Sequence, residues 1–390
     1  MKRKEINSSR LPVYRDAGFE LYDAETTSSA FKKETENNRE PELYIYSRYR
    51  NPNVVSAEEE IMKLEGSGWA LLTQSGMSAI DTALSVFQHG KEIRPWLFFT
   101  EIYGGTISFI DSILRARRGL DIHFFTPENE KYDLDAFDME MENLMPELVY
   151  IESVSNPMLI VPDIRGIVAI ARKYGSKVII DNTFATPWLY KPLEDGVDIV
   201  IHSVTKYFSG HGNLTAGVIC GNDPEILRQA LEYRKFIGHI LSPDDAYRLE
   251  TQIQSFELRF DRQCSNANAL AAFLDKDKSI RKVWYPGLNN HATHENAEKH
   301  FGGKGWGAMI TFDFDGKDAD EKRQRRDMFI ERVSSWIKLI PTLGDSKTIL
   351  MPVESVWGAK YPEPGMIRLS VGFENYTEIE EVVRTGLVGL

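Results

Sequence analysis

Lys206 stands in the run Val200-Ile201-His202-Ser203-Val204-Thr205-Lys206-Tyr207-Phe208-Ser209-Gly210-His211-Gly212, an apolar stretch that ends on two hydroxyl residues, one lysine and then glycines. Upstream, Val178-Ile179-Ile180-Asp181-Asn182-Thr183 is a second apolar stretch, and it ends on an acid. An amine at one strand end can condense with a carbonyl. Hydroxyls beside it can hold an anion, and a carboxylate at the next strand end can keep an aromatic nitrogen protonated. Together these are the requirements of pyridoxal 5'-phosphate (PLP).

Four other segments carry candidate groups. Gln74-Ser75-Gly76-Met77-Ser78-Ala79-Ile80 follows an apolar run and opens a helix, so its backbone N–H groups can face a phosphate; a plain tight turn is the competing reading. In Thr100-Glu101-Ile102-Tyr103-Gly104-Gly105-Thr106, Tyr103 can stack on a planar cofactor, or be an ordinary surface tyrosine. In Glu152-Ser153-Val154-Ser155-Asn156-Pro157, Asn156 can reach a cofactor oxygen or a substrate carboxylate, or form an Asx-type turn before proline. Tyr46 and Arg48, two apart in an extended segment, point the same way and can clamp one phosphate. Near the end, Met366-Ile367-Arg368-Leu369-Ser370-Val371-Gly372 places an arginine inside an apolar strand. It needs an anionic partner, either a substrate carboxylate or a structural acid.

The elements that must position these groups are short apolar runs alternating with helical stretches. Strands are predicted at Trp69–Leu72, Trp96–Phe99, Asp121–Phe125, Leu148–Ile151, Lys177–Ile180, Asp198–His202 and Ala216–Cys220. That spacing means βα units and a mostly parallel sheet buried on both faces, with ligands at the carboxyl ends of its strands. A helix is predicted from Ala57, closed by Gly66, and a long helical segment over Asp244 to Asp275. Antiparallel strands follow near Ala308–Phe314, Ile337–Leu339 and Met366–Val371. The charged stretch Asp318 to Asp327 reads as a solvated helix face. The fold class is therefore α/β, divided into a polar N-terminal arm over 1–55 that packs on a neighbouring subunit, a large α/β region over 56–245 that binds the cofactor, and a smaller α+β region over 246–390. Within the arm, Lys32 to Pro41 is almost wholly polar and reads as extended.

The chain has 390 residues and a net charge of −12, which argues against nucleic acid or an anionic membrane as partner. Cys220 and Cys264 are the two cysteines, too few for a disulfide framework or a zinc site, and a reducing cytoplasm fits. No metal is expected. The start, Met1 to Asn7, is basic without an apolar run after it, so neither a secretory signal nor a membrane helix is expected.

Tyr-x-Arg-x-x-Asn-Pro, Ser-Gly-Met-x-Ala, Tyr-Gly-Gly-Thr, Asp-Asn-Thr-Phe-Ala-Thr-Pro, Ser-x-Thr-Lys-Tyr-x-x-Gly-His and Arg-Leu-Ser-Val-Gly occur in this order along the chain. In this it resembles the PLP-dependent transsulfuration enzymes of cysteine and methionine metabolism: cystathionine γ-synthase, cystathionine lyases, methionine γ-lyase and O-acetylhomoserine sulfhydrylase. The resemblance implies a fold type I PLP-dependent transferase. Lys206 would be the Schiff-base lysine and proton shuttle. Asp181, with Thr183 beside it, would pair with the pyridinium nitrogen. Gly76, Met77, Ser203 and Thr205 would hold the phosphate. Tyr46 and Arg48 would reach the phosphate of a neighbouring subunit, which makes the active unit a dimer and the assembly a homotetramer of two such dimers. Tyr103 would stack on the ring and act at the leaving group, and Asn156, Thr342 and Arg368 would bind the amino-acid substrate.

The implied reaction is γ-elimination at a carbon–sulfur bond of cystathionine or a methionine-like amino acid, giving 2-oxobutyrate, ammonia and a thiol. Two alternatives stay open: a γ-replacement synthase using an O-acylhomoserine or a related bond-forming enzyme, and a non-catalytic PLP-binding protein. On the substrate side the chain departs from its relatives. Methionine γ-lyases resemble Tyr-Gly-Cys where Tyr103-Gly104-Gly105 stands, and carry Lys-Asp where Arg234-Lys235 stands. Thr342 takes the place of the serine of a Ser-Leu-Gly motif, and a His-Pro-Ala-x-x-Thr-His segment has become Met351-Pro352-Val353-Glu354-Ser355-Val356-Trp357. Glu354 is expected to enter the substrate pocket, where it would favour a distal amino group such as that of cystathionine.

Overall fold

The computed structural model describes residues 10–34, 43–88, 94–361 and 363–390. The apolar runs of the first half become seven strands of one sheet: β1 (Trp69–Thr73), β2 (Trp96–Phe99), β3 (Ile122–Phe125), β4 (Leu148–Glu152), β5 (Lys177–Asp181), β6 (Ile199–His202) and β7 (Gly217–Gly221). Their spatial order is β1-β7-β6-β5-β4-β2-β3. Only β7 runs against the others, antiparallel to both β1 and β6. β1, β2, β4 and β6 are buried at every residue, which explains why their sequences lack polar alternation.

The helices on this sheet follow the usual logic of caps and apolar stripes. Helix Ile164–Lys173 starts on Asp163, whose Oδ1 accepts the Gly166 N–H at 3.2 Å, and ends in Arg172 and Lys173. It buries Ile164, Ile167, Val168 and Ala171, one stripe at helical spacing, each large member contributing about 1.5–3 kcal/mol.

The second sheet contains β8 (Ile280–Trp284), β9 (Met309–Phe314), β10 (Lys338–Leu339), β11 (Ile349–Pro352) and β12 (Met366–Ser370), in the order β10-β11-β12-β9-β8. Only β10 and β11 pair in parallel. Its core of Ile310, Phe312, Phe314, Phe329, Ile367 and Leu369 is separate from the first. Helix Phe256–Leu274 joins the two: Phe256, Phe260 and Cys264 belong to the first core, and Ala267, Leu270, Ala271 and Leu274 to the second.

The structure corrects three expectations. The arm contains a helix, Ala24–Lys33, set by Asp23, which caps the Thr26 N–H at 2.7 Å, and by Lys32 and Lys33 in the last turn. Only Ala30 of that helix is buried, so no apolar period marks it. Most of the Lys32 to Pro41 stretch, and the basic start Met1 to Asn7, lie outside the described residues. The long helical segment is two helices, Pro243–Ile253 and Phe256–Leu274. At the break, Arg259 donates to the Gln252 carbonyl at 3.0 Å and to the carbonyls of Tyr207 and Phe208 at 3.0 and 2.9 Å, fastening the joint to the loop after Lys206. The charged helix Ala319–Val333 is more than a solvated face, because Arg326 is buried in ion pairing.

Candidate active site

The strand ends converge on one cavity of about 190 Å³. β1 leads through Gln74 into helix Gly76–Ser85, whose cap Ser75 accepts the Ser78 N–H at 3.1 Å. The N–H groups of the first turn have no partner within the helix, which suits an anion. A Cβ on Gly76 would stand 3.0 Å from both Cβ and Oγ of Ser203, so glycine is what lets this turn close on the β6 loop.

That loop is tightly held. The Lys206 N–H donates to Ser203 O at 3.1 Å, and Lys206 O accepts the Gly210 N–H at 2.7 Å. Thr205 Oγ1 donates to Ala216 O at 3.1 Å and accepts the Ala216 N–H at 3.0 Å. The Lys206 Nζ donates to Thr342 Oγ1 at 2.8 Å. The Lys206 amine is lowered to about 8, mainly by burial and then by the Arg368 charge, with Asp181 opposing. Gly344 lets the second half of the chain approach this loop: its φ is +74° and a Cβ there would meet the Tyr207 N–H group at 2.8 Å.

Behind the loop, His202 Nε2 pairs with Glu65 Oε2 at 2.8 Å, both side chains fully buried. On the neighbouring strand Asp181 Oδ1 accepts from Thr183 twice, at 3.0 Å from N and 2.5 Å from Oγ1, while Thr183 Oγ1 accepts the Ser203 N–H at 2.8 Å. Thr183 therefore ties the carboxylate strand to the lysine strand. Burial pushes the Asp181 carboxyl up, against those two hydrogen bonds. A cationic ring nitrogen is the partner that would bring it back down.

The other end of the cavity is built by the second sheet. Arg368 on β12 is buried; it donates to Asn156 Oδ1 and to Thr342 O, each at 3.1 Å. Burial lowers its guanidinium to about 10. Glu152, paired in register with Asp181, accepts the Tyr103 N–H at 2.6 Å. Burial, and then Asp181, push its carboxyl well above the usual range. It fixes the turn that presents Tyr103, a role the sequence does not announce. The register of β4 against β5 is the signal that could have found it.

Gly76, Met77, Tyr103, Asn156, Asp181, Thr183, Ser203, Thr205, Lys206 and Arg368 all line this cavity. Thr342 and Glu354, expected beside them, do not, and neither do Tyr46 and Arg48, which are expected at the cavity of a neighbouring subunit. Thr342 touches Lys206 and Arg368 instead and lines an adjoining groove. Tyr46 and Arg48 lie apart from it. The Arg48 guanidinium donates to Lys235 O at 2.7 Å and covers the Tyr46 and Tyr49 rings at 5.4 and 5.1 Å. Glu354 does not enter the pocket. Its carboxylate is held by Arg323 at 2.7 Å and Arg326 at 2.9 Å, because helix Ala319–Val333 offers two guanidiniums on that side. Arg234 is likewise spoken for, buried against Glu58 at 3.0 Å.

The residues fit PLP: an amine, a paired carboxylate, and a glycine-tight helix N-terminus with hydroxyls beside it, all at the carboxyl ends of one mostly parallel sheet. These features define a PLP-dependent enzyme of fold type I, and PLP is its cofactor. The sequence profile of the Cys/Met metabolism PLP-dependent enzymes matches residues 2–388, and the chain belongs to that family. It is 33% identical over 357 residues to a cystathionine beta-lyase of Lactococcus lactis subsp. cremoris, covering 89% of each chain. It is 33% identical over 393 residues to an L-methionine gamma-lyase of Fusobacterium nucleatum subsp. polymorphum, covering 97% of this chain and 93% of the other. A crystal structure of cystathionine gamma synthase from Xanthomonas oryzae pv. oryzae, in complex with cystathionine, superposes with a TM-score of 0.83 at 26% identity, over 96% of this chain and 92% of that one. Among the described residues no group of three or more His, Cys, Asp or Glu could hold a metal, and no helix is long and apolar enough to cross a membrane.

Proposed function

We propose that the protein is a carbon–sulfur lyase that acts on a sulfur amino acid by γ-elimination, releasing 2-oxobutyrate, ammonia and a thiol. The observation that carries this reading is the single cavity shared by the Lys206 amine, the Asp181–Thr183 pair and the Arg368–Asn156 pair. The curated relatives named as lyases support the carbon–sulfur chemistry.

Each residue has a physical task. Arg368, steered by Asn156, binds the substrate carboxylate and fixes the orientation of Cα. When bound, PLP supplies the electron sink for the pair left behind by the Cα proton. The Lys206 Nζ takes that proton, hands it on and takes a second from Cβ, so that the sulfur can leave Cγ and water can release the keto acid and ammonia; this requires a neutral amine, and the lowered value of about 8 makes one available near neutral pH. Asp181, held by Thr183, would keep the ring nitrogen of PLP protonated. Tyr103 donates a proton to the departing sulfur. Gly76, Met77, Ser203 and Thr205 anchor the phosphate.

Tyr46 and Arg48 act on the cavity of a second subunit. Their position outside their own cavity supports this, as do Phe236 and Ile237, 69% and 53% exposed, beside the Lys235 that Arg48 contacts. The proposed assembly is a homotetramer of two such dimers, in the cytoplasm. The division into 1–55, 56–245 and 246–390 belongs to the same proposal, supported by the two separate cores.

The test incubates holoenzyme with L-methionine and with L-cystathionine and identifies the keto acid. Expected is 2-oxobutyrate with stoichiometric thiol. Pyruvate would mean β-cleavage. Neither keto acid, together with thiol incorporation into an O-acylhomoserine, would establish γ-replacement, and no product from any of these would leave a cofactor-binding protein without catalysis.

A further inference from the structure

The segment that departs most from the family pattern, Met351 to Trp357, reaches the site through its last residue. The Trp357 ring covers the Arg368 guanidinium at 5.3 Å from the ring centre, and its Nε1 is 3.8 Å from where a Cβ on Gly104 would stand. The indole therefore stands over the carboxylate-binding arginine and beside the turn that presents Tyr103, at the rim of the cavity rather than among the residues that line it. Two clamps hold it there. On one side, Glu354 is fastened to Arg323 and Arg326. On the other, the Lys360 Nζ donates to Thr100 O at 2.8 Å and Tyr361 donates to Glu101.

The charges around the cavity point to what this rim selects. Glu152 and Asp181 are the carboxylates among the described residues that line it. Glu152 is engaged by the Tyr103 N–H, Asp181 by Thr183, and Glu354 faces away. A substrate whose far end carries a second amino and carboxylate pair would bring two charges against an indole with no acid to receive the ammonium, and unpaired charge is costly to desolvate. An uncharged alkyl end would gain burial on the same indole.

We propose that Trp357 is a specificity-determining residue that selects amino acids ending in an uncharged alkyl–sulfur group over those ending in a second amino acid moiety. This rests on the lyase reading for its substrate class, and on Arg368 as the carboxylate site for its geometry.

The test measures binding to holoenzyme of two ligands that lack a C–S bond, followed through the absorbance of the bound cofactor. L-norleucine has the length of methionine, and L,L-2,7-diaminosuberate is the all-carbon counterpart of cystathionine. Wild type is expected to bind norleucine about tenfold tighter or more, the range a hydrophobic contact supplies. Trp357→Ala is expected to bring the ratio to roughly threefold or less, and Trp357→Phe to retain it, with PLP affinity unchanged in both. Equal or tighter binding of diaminosuberate by wild type, or a ratio that survives Trp357→Ala, would overturn the proposal. Because neither ligand can undergo C–S cleavage, a missing keto acid in the turnover assay would remove the lyase reading and leave this result standing.

Discussion

Asp181 and Lys206 reach the cavity from the ends of strands buried in the first sheet; Arg368 reaches it from the second, with Trp357 over its guanidinium at the rim. The first group is locked by short-range bonds within adjacent strands, as when Thr183 bonds Asp181 and Ser203 together. The second is assembled across long stretches of chain: Arg368 meets Asn156 at a separation of 212 residues, and Trp357 is held by clamps to Arg323 and to Thr100. The cofactor end is a property of one sheet and its turns. The substrate end is a property of how two halves dock, so its side chains can be exchanged without disturbing the sheet that carries the lysine. This is why most of the familiar motifs sit on the first side, while the longest departure, Met351 to Trp357, sits on the second.

If the ends are separable, removing groups from each should break different quantities. The largest effect is expected for Lys206→Ala, which removes the proton-moving amine and should lower kcat about 10³-fold or more, with the fold intact by circular dichroism. Next, Arg368→Leu should raise KM about 10²-fold through loss of a buried charge partner, while PLP affinity stays near wild type. A parallel loss of PLP would mean that the two ends are not independent.

A third effect joins them. The Lys206 amine must be neutral to receive the cofactor carbonyl, so the rate of PLP recombination with apoenzyme should rise with pH through about 8. Arg368 is one cause of the lowered value, so Arg368→Leu should move that midpoint upward. The smallest effect is expected for Glu354→Gln. Its carboxylate serves partly exposed ion pairs that clamp the segment carrying Trp357, so stability should fall by about 1 kcal/mol or less in denaturant titration. A loss of several kcal/mol would contradict this.

The same division decides what the sequence could reveal. Most of the seven runs of the first sheet are legible because a strand buried on both faces must be apolar throughout, and each run became a strand within a residue of its expected ends. The lysine, the carboxylate and the glycine turn are legible because each lies just past such a run. β8 and β11 were missed. β8 mixes Arg281 and Lys282 into its face, which pair with Asp313 and Glu130, and β11 is four residues ending in proline. The directions of Glu354 and Thr342 are not legible for a common reason: each depends on partners far away in sequence, two arginines in one case and the Lys206 amine in the other. Trp357 gives no local sign of its contact with Arg368, because that contact exists only once β11 and β12 pair and bring the two residues together.

The most direct test of the central claim is to reduce the holoenzyme with borohydride, which fixes a carbonyl-bearing cofactor to the amine that holds it, and to map the label by peptide mass spectrometry. The expected result is one pyridoxyl group per chain, on the peptide containing Lys206. A label on any other lysine, or none, would contradict the assignment of this cavity as the PLP site.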